Sequence, residues 1–134
     1  MQRVRVSVPV RPTEDADKVR RALLNVFPDL RIDASEDALR GTTESLDRLR
    51  ELIRKLKIRD TARRVLLRGR EGDRTRFDLS KQAAFSGRVS FAADSPLGDI
   101  AVEIESDRLE DVIDFVAEST IERKATPSAR NGRT

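Results

Sequence analysis

The sequence contains no cysteine, histidine, tryptophan or tyrosine, and only five phenylalanines and one methionine among 134 residues. Each absence removes a class of chemistry. Without cysteine there is no disulfide, and without cysteine or histidine there is no Cys/His zinc site. Catalytic triads that use His or Cys, and acid–base work by imidazole, are excluded on the same ground. Aromatic residues amount to 4%, which argues against a reader that stacks successive bases on rings. No apolar run approaches the roughly 20 residues of a membrane-spanning helix. The N-terminal Met1-Gln2-Arg3-Val4-Arg5 lacks the apolar segment of a signal peptide. The expectation is a cytoplasmic chain that makes no use of the membrane, a compartment that the missing thiols suit.

What is present is charge. Hydrophobic residues make up 37% of the chain and charged residues 38%, enough for one small core under a very charged surface. The formal net charge of +3 hides an uneven distribution. Residues 1–44 carry 8 basic and 8 acidic side chains, and residues 45–88 carry 14 basic and 6 acidic ones. Residues 89–122 then carry 1 basic and 10 acidic, and residues 123–134 carry 4 basic and no acidic side chains. A basic middle third is the footprint expected of a polyanion-binding surface. The plainer alternative is that the basic and acidic blocks neutralise each other within one fold. Arginine outnumbers lysine by 22 to 5, a bias that suits phosphate contacts and that GC-rich coding or adaptation to heat also produces.

Val4, Val6, Val8 and Val10 alternate with polar residues and predict a strand, with Pro9 at its end or on an edge. Thr13 reads as the N-cap of a helix carrying Val19, Ala22, Leu23, Val26 and Phe27, which Pro28 closes. A short hairpin spans Leu30–Ile32 and Ala38–Arg40. Leu46, Leu49, Leu52, Ile53 and Leu56 fall on one helical face. Asp60 reads as the cap of a second helix with Ala62, Val65 and Leu66, which Gly69 stops. Residues 70–73 read as a turn, Thr75–Leu79 as a strand, 81–87 as a connector, and Val89 with Phe91 as another strand. Ile100, Val102 and Ile104 give the last strand, and Ser106 caps a helix with Leu109, Val112, Ile113 and Val116 inward. The predicted order is β-α-β-β-α-α-β-β-β-α. It describes an α+β fold of two layers, with helices packed on one face of a mainly antiparallel sheet. The strands at Val4–Val10, Phe77–Leu79 and Ile100–Ile104 are placed among the outer members of that sheet. Residues 1–122 form the single domain, and 123–134 are expected to be a disordered basic tail.

Several stretches, taken in order, resemble a known family. They are Val8-Pro-Val-Arg-Pro-Thr-Glu-Asp15, Ile58-Arg-Asp-Thr-Ala-Arg63, Phe77-Asp-Leu-Ser-Lys-Gln-Ala-Ala84, then Gly87, Phe91 and Ser95-Pro-Leu-Gly-Asp-Ile100. Together, over about residues 2–119, they look like an uncharacterised archaeal family described as predicted RNA-binding proteins and exosome subunits. The resemblance implies a fold like that of the ribosomal protein that binds 5S rRNA, and an RNA-related role. Ser80 stands where the family pattern has Asn, and Asp99 where it has Pro.

The strongest candidate constellation is basic. Arg48, Arg50, Arg54, Lys55, Lys57, Arg59, Arg63, Arg64 and Arg68 lie on the two middle helices, off their apolar stripes. Arg50 and Arg54, like Arg64 and Arg68, are one turn apart, and like charges at that spacing cost helix stability. A phosphate backbone offsets the cost, as do Asp47 and Glu51 locally. Lys81-Gln82-Ala83-Ala84-Phe85 offers a cation, an amide and a ring; read structurally, the same stretch is a corner with Phe85 buried. Glu103 and Glu105 share a strand face, where Mg²⁺ binding is weighed against ordinary surface charge. Cross-strand ion pairs with Arg3 and Arg5 would explain all four if the two strands are neighbours.

The expectation is therefore a non-catalytic RNA-binding protein that grips phosphates through Arg50, Arg54, Lys57, Arg63, Arg64 and Arg68, with Lys81 and Gln82 added. It calls for no metal and no cofactor. It places the chain in an RNA-processing or ribosome-related assembly. The alternative is a protein-interaction subunit or homodimer that uses its acidic C-terminal third.

Overall fold

Strand β1 (Gln2–Pro9) buries Val4, Val6 and Val8 on one side and turns Arg3 and Arg5 to the other. This alternation recurs in every long strand and decides the architecture. In the computed structural model, which describes residues 2–91 and 99–118, β1 is followed by α1 (Ala16–Val26), β2 (Arg31–Ala34) and β3 (Ala38–Thr43). Then come α2 (Asp47–Lys55), α3 (Arg59–Arg68), β4 (Arg70–Glu71) and β5 (Arg74–Ser80). A short α4 (Lys81–Phe85), β6 (Asp99–Ser106) and α5 (Leu109–Val116) complete the described elements. The strands form one six-stranded sheet in the order β2-β3-β1-β6-β5-β4, antiparallel at each pairing. The fold is α+β, with the helices packed over one sheet face and the other face open.

The core lies between sheet and helices. Val4, Val6 and Val8 meet Phe77, Leu79, Ile100, Val102 and Ile104 from β5 and β6, and the apolar stripes of α1, α2, α3 and α5 close over them. The helical periodicity read from the sequence holds: Val19, Ala22, Leu23 and Val26 on α1, Leu49, Leu52 and Ile53 on α2, and Leu109, Val112, Ile113 and Val116 on α5 are all buried. Gly69 ends α3 because α3 and β5 approach too closely there for any side chain. A Cβ at this position would collide with the Arg76 carbonyl, and the Arg76 N–H donates to the Gly69 carbonyl at 3.2 Å. The buried Thr75 hydroxyl donates to the Leu66 carbonyl at 2.5 Å and fixes the same junction.

Four local expectations are corrected. β1 and β6 are the two central strands, not outer ones. A sheet open on one face gives its middle strands the same apolar–polar alternation as an edge strand. The 81–87 connector contains α4, whose N-cap Ser80 accepts from the Ala83 N–H at 3.2 Å. Val89 and Phe91 form no strand; Phe91 makes one bridge to Leu79 and packs edge-on against Phe77 at 5.9 Å. The 70–73 turn is the end of a hairpin, in which β4 pairs with β5 about Gly72 at φ +63°. Helix starts also move slightly: Asp15 caps α1 in place of Thr13, Ile58 precedes α3, and Arg108 precedes α5 while its N–H is held by Ser106 Oγ. The expected tail at 123–134 lies outside the described residues.

Candidate nucleic-acid interface

Helices α2 and α3 follow one another with a sharp elbow between them. Lys57 sits in that elbow at φ +60°, in left-handed backbone that a long side chain seldom adopts. Because Leu49, Leu52 and Ile53 of α2 and Ala62 and Leu66 of α3 turn inward, the cations of both helices are driven outward.

They divide into two groups. One group turns toward α5 and the residues just after it, which carry Asp114 and Glu118 of the acidic C-terminal third. The Arg50 guanidinium donates through Nε to the Phe115 carbonyl at 2.9 Å and lies 4.9 Å from the centre of the Phe115 ring. Arg63 donates to Asp114 at 2.6 Å and to the Ala117 carbonyl at 3.2 Å, and Arg59 reaches Glu118 at 2.9 Å. Arg48 pairs with Glu51 on its own helix. The basic and acidic blocks thus neutralise each other in part, across the α2, α3 and α5 packing.

The second group stays exposed. Arg54, Lys55, Lys57, Arg64 and Arg68 have no ion-pair partner among the described residues. Arg54, Lys57, Arg59 and Asp60 line a hollow of about 490 Å³ at the elbow. At the far end of α3, Arg68, Arg70, Arg74 and Arg76 line another of about 590 Å³, which Glu71, Asp73 and Glu105 also border. The ten residues of α3 separate the two hollows by about 15 Å. The sequence reading missed Arg70, Arg74 and Arg76, which lie on a hairpin and not on a helical stripe. Their signal was the alternate spacing of arginine at 68, 70, 74 and 76.

Lys81 does not join this surface. Its side chain is fully buried, and its ammonium donates to the Pro9 carbonyl at 2.7 Å and to Glu14 at 3.1 and 3.3 Å. Burial pushes the Glu14 carboxyl up, but hydrogen bonds from the Arg11 N–H and Lys81, with both positive charges, hold it below its usual value. Gln82 is exposed on α4, and α4 packs against α1 and one end of β5, whereas α3 packs against α5 and β5. Phe85, expected in the core, is 39% exposed.

On the open sheet face Arg3 lies opposite Glu105 and Arg5 opposite Glu103, so the two strands are neighbours. The ion-pair explanation nevertheless holds for three of the four residues only: among the described residues Arg3 has no ion-pair partner, and Glu105 meets Arg5 and Arg74. Arg5 reaches Glu103 at 2.7 Å and Glu105 at 3.5 Å, and Arg76 reaches the other oxygen of Glu103 at 2.8 Å. The Arg76 hydrogen bond, then that from Arg5 and both charges, outweigh burial and hold the Glu103 carboxyl below its usual value. Both Glu103 oxygens are therefore taken by guanidinium groups. Among the described residues no group of three or more carboxylates is placed to hold a metal ion.

A family model described as RNA binding matches residues 3–106. A UPF0201 protein of Methanothermobacter thermautotrophicus is 47% identical over 121 residues, which cover 87% of this chain and 92% of that protein. The chain belongs to the UPF0201 family. A UPF0201 protein of Methanocaldococcus jannaschii is 39% identical over 83% of this chain and 68% of its own length. The 2.2 Å crystal structure of a UPF0201 protein from Methanococcus jannaschii superposes with a TM-score of 0.83 at 36% identity, over 88% of this chain and 94% of that one. In Archaeoglobus fulgidus a UPF0200/UPF0201 protein is 44% identical over 89 residues, which are 66% of this chain and 28% of that protein. No helix among the described residues of this UPF0201 chain is long and apolar enough to cross a membrane.

Proposed function

We propose that this UPF0201 protein binds RNA without catalysing a reaction, and that it holds phosphates on the cations α2 and α3 leave exposed. Arg54, Lys57, Arg64 and Arg68 form the centre of the surface. Arg50 and Arg63 contribute from its margin, their guanidinium groups fixed by Phe115 and Asp114. One observation carries the reading. After Phe115, Glu118 and Asp114 have taken Arg50, Arg59 and Arg63, the two consecutive helices and their elbow still present Arg54, Lys55, Lys57, Arg64 and Arg68 without an ion-pair partner among the described residues, in a chain whose family model is described as RNA binding. Contacts of this kind recognise backbone and shape, not sequence. The resemblance to exosome-associated archaeal proteins supports a place in an RNA-processing or ribosome-related assembly.

The test is the double variant Arg64→Gln with Arg68→Gln. Binding to RNAs of unrelated sequence should weaken to a similar degree, and the salt dependence should flatten by about one to two contacts. The melting temperature should be unchanged or slightly raised, since one i,i+4 repulsion is gone. Unchanged affinity and salt slope would show that the RNA site lies elsewhere.

A second reading, a protein partner, is favoured by the Archaeoglobus protein, of which the matched region is 28%. In this reading the rest of that protein corresponds to a separate chain that docks on this one. The homodimer version through acidic and basic blocks has less support, because Asp114 and Glu118 are already engaged within the chain.

A further inference from the structure

The helices cover one sheet face; the other carries a hollow of about 490 Å³ over β3, β1, β6 and β5. Arg5, Ser7, Arg40, Thr42, Asp78 and Ala101 border it. The register of β1 against β3 sets Arg5 opposite Thr42 and Ser7 opposite Arg40. These four outward side chains form a two-by-two block, with guanidinium groups on one diagonal and hydroxyls on the other. Side chains directly opposite are about 5 Å apart and those on the diagonal about 7–8 Å, so two arginines reach one tetrahedral anion lying over the two hydroxyls. We infer that this quartet binds the phosphate of a nucleotide.

Three features support the assignment. First, the donors are in place before any ligand arrives. Arg5 is tethered through one amino group to Glu103, which also borders the hollow, at 2.7 Å and to Glu105 at 3.5 Å; this fixes its guanidinium while its other amino group and Nε remain to meet an anion. Second, among the described residues Arg40 has no ion-pair partner, and the Ser7 and Thr42 hydroxyls have no hydrogen-bond partner. Third, Ala101, opposite Ser7, leaves the floor low, and Asp78 stands opposite Ala101 on the far side. Asp78 is thus two strand spacings from Ser7, roughly 10 Å, a separation that suits the ribose hydroxyls or base amino group of a nucleotide whose phosphate sits on the quartet. Asp33, opposite Arg40 on β2, disfavours a bare polyanion and favours a ligand that carries donors as well as a phosphate. The hollow also falls within the usual size of small-ligand sites. The site is separate from the helix surface proposed for RNA and does not rest on it.

The phosphate belongs either to a free mononucleotide or to one nucleotide of an RNA. Titration calorimetry of the full chain at low salt with AMP, CMP, GMP, UMP, adenosine, inorganic phosphate and a short single-stranded RNA separates the two. At least one mononucleotide should saturate a single site, with phosphate competing and adenosine failing to bind. Arg40→Gln should weaken that binding about tenfold or more, as loss of a charged hydrogen bond does. Thr42→Val should weaken it less. Asp78→Asn should weaken the nucleotide while leaving phosphate competition unchanged. The Arg64→Gln/Arg68→Gln protein should bind mononucleotides like the parent, so failure of the helix surface and failure of this site are told apart. Binding of the RNA alone, lost in Arg40→Gln, would also support the site and assign the phosphate to RNA. Arg40 is exposed, so unchanged melting of Arg40→Gln confirms that folding is intact. If neither mononucleotide nor RNA shows binding sensitive to Arg40→Gln, the assignment is overturned.

Discussion

The Lys81 ammonium illustrates how one residue type serves opposite ends in this chain. In the sequence it is one cation among many; in the fold it is fully buried and bonded to Pro9 and Glu14. It ties the first turn of α4 to the end of β1 and to the approach to α1. Removing one partner of such a buried pair leaves the other charge uncompensated, at a cost of about 3 kcal/mol or more, whereas replacing both with apolar groups is much less costly. Glu14→Gln should therefore lower the unfolding free energy substantially at pH 7, and Lys81→Met combined with Glu14→Leu should recover much of the loss. The pH dependence has a definite sign. The Glu14 and Glu103 carboxyls lie below the value of 4.5 expected of them in the unfolded chain. Their contribution is complete above that value and is lost as pH falls through the lower folded values. Urea midpoints of the parent should fall as the pH drops below about 4.5, with a shallower fall in Glu14→Gln. Equal pH profiles for parent and variant would contradict the role given to Glu14.

At the scale of elements, the apolar stripes carry the fold. Leu49 is 1% exposed at the centre of α2, so Leu49→Asp forces a carboxylate into the core and should leave the chain unfolded at 25 °C. Leu67, 46% exposed on α3, should accept Ser with a change in melting temperature of a few degrees at most. Circular dichroism of the two variants checks the assignment of inward and outward faces. The same stripes explain why so much of the architecture was legible beforehand. Periods of 3.6 and 2 survive any arrangement of neighbours, so α1, α2, α3, α5 and the strands β1, β5 and β6 could be read directly. Strand order could not, because an open sheet face makes central β1 alternate as an edge strand would. Short α4 carries too few apolar positions for a period, and two-residue β4 exists only because β5 lies beside it.

At the scale of the whole molecule, the basic and acidic thirds of the sequence meet both where α3 packs against α5 and its C-terminal end and where β5 pairs with β6. The candidate site was accordingly only half legible. Sequence fixes which helical residues face outward, which is why Arg54, Lys57, Arg64 and Arg68 were found. It does not reveal which outward cations meet a carboxylate distant in the chain, as Arg63 meets Asp114 across 51 positions and Arg59 meets Glu118 across 59. Nor does it show that Lys81 turns inward, or that Arg5, Ser7, Arg40 and Thr42 share one patch of sheet. The central claim, that exposed cations on α2 and α3 bind RNA phosphates, is tested most directly by the salt dependence of RNA binding by the unmodified protein. Three to four phosphate contacts predict that log affinity falls against log salt with a slope of about −2 to −3 for single strands. Binding that is absent at low salt, or that persists with a slope near zero, would contradict it.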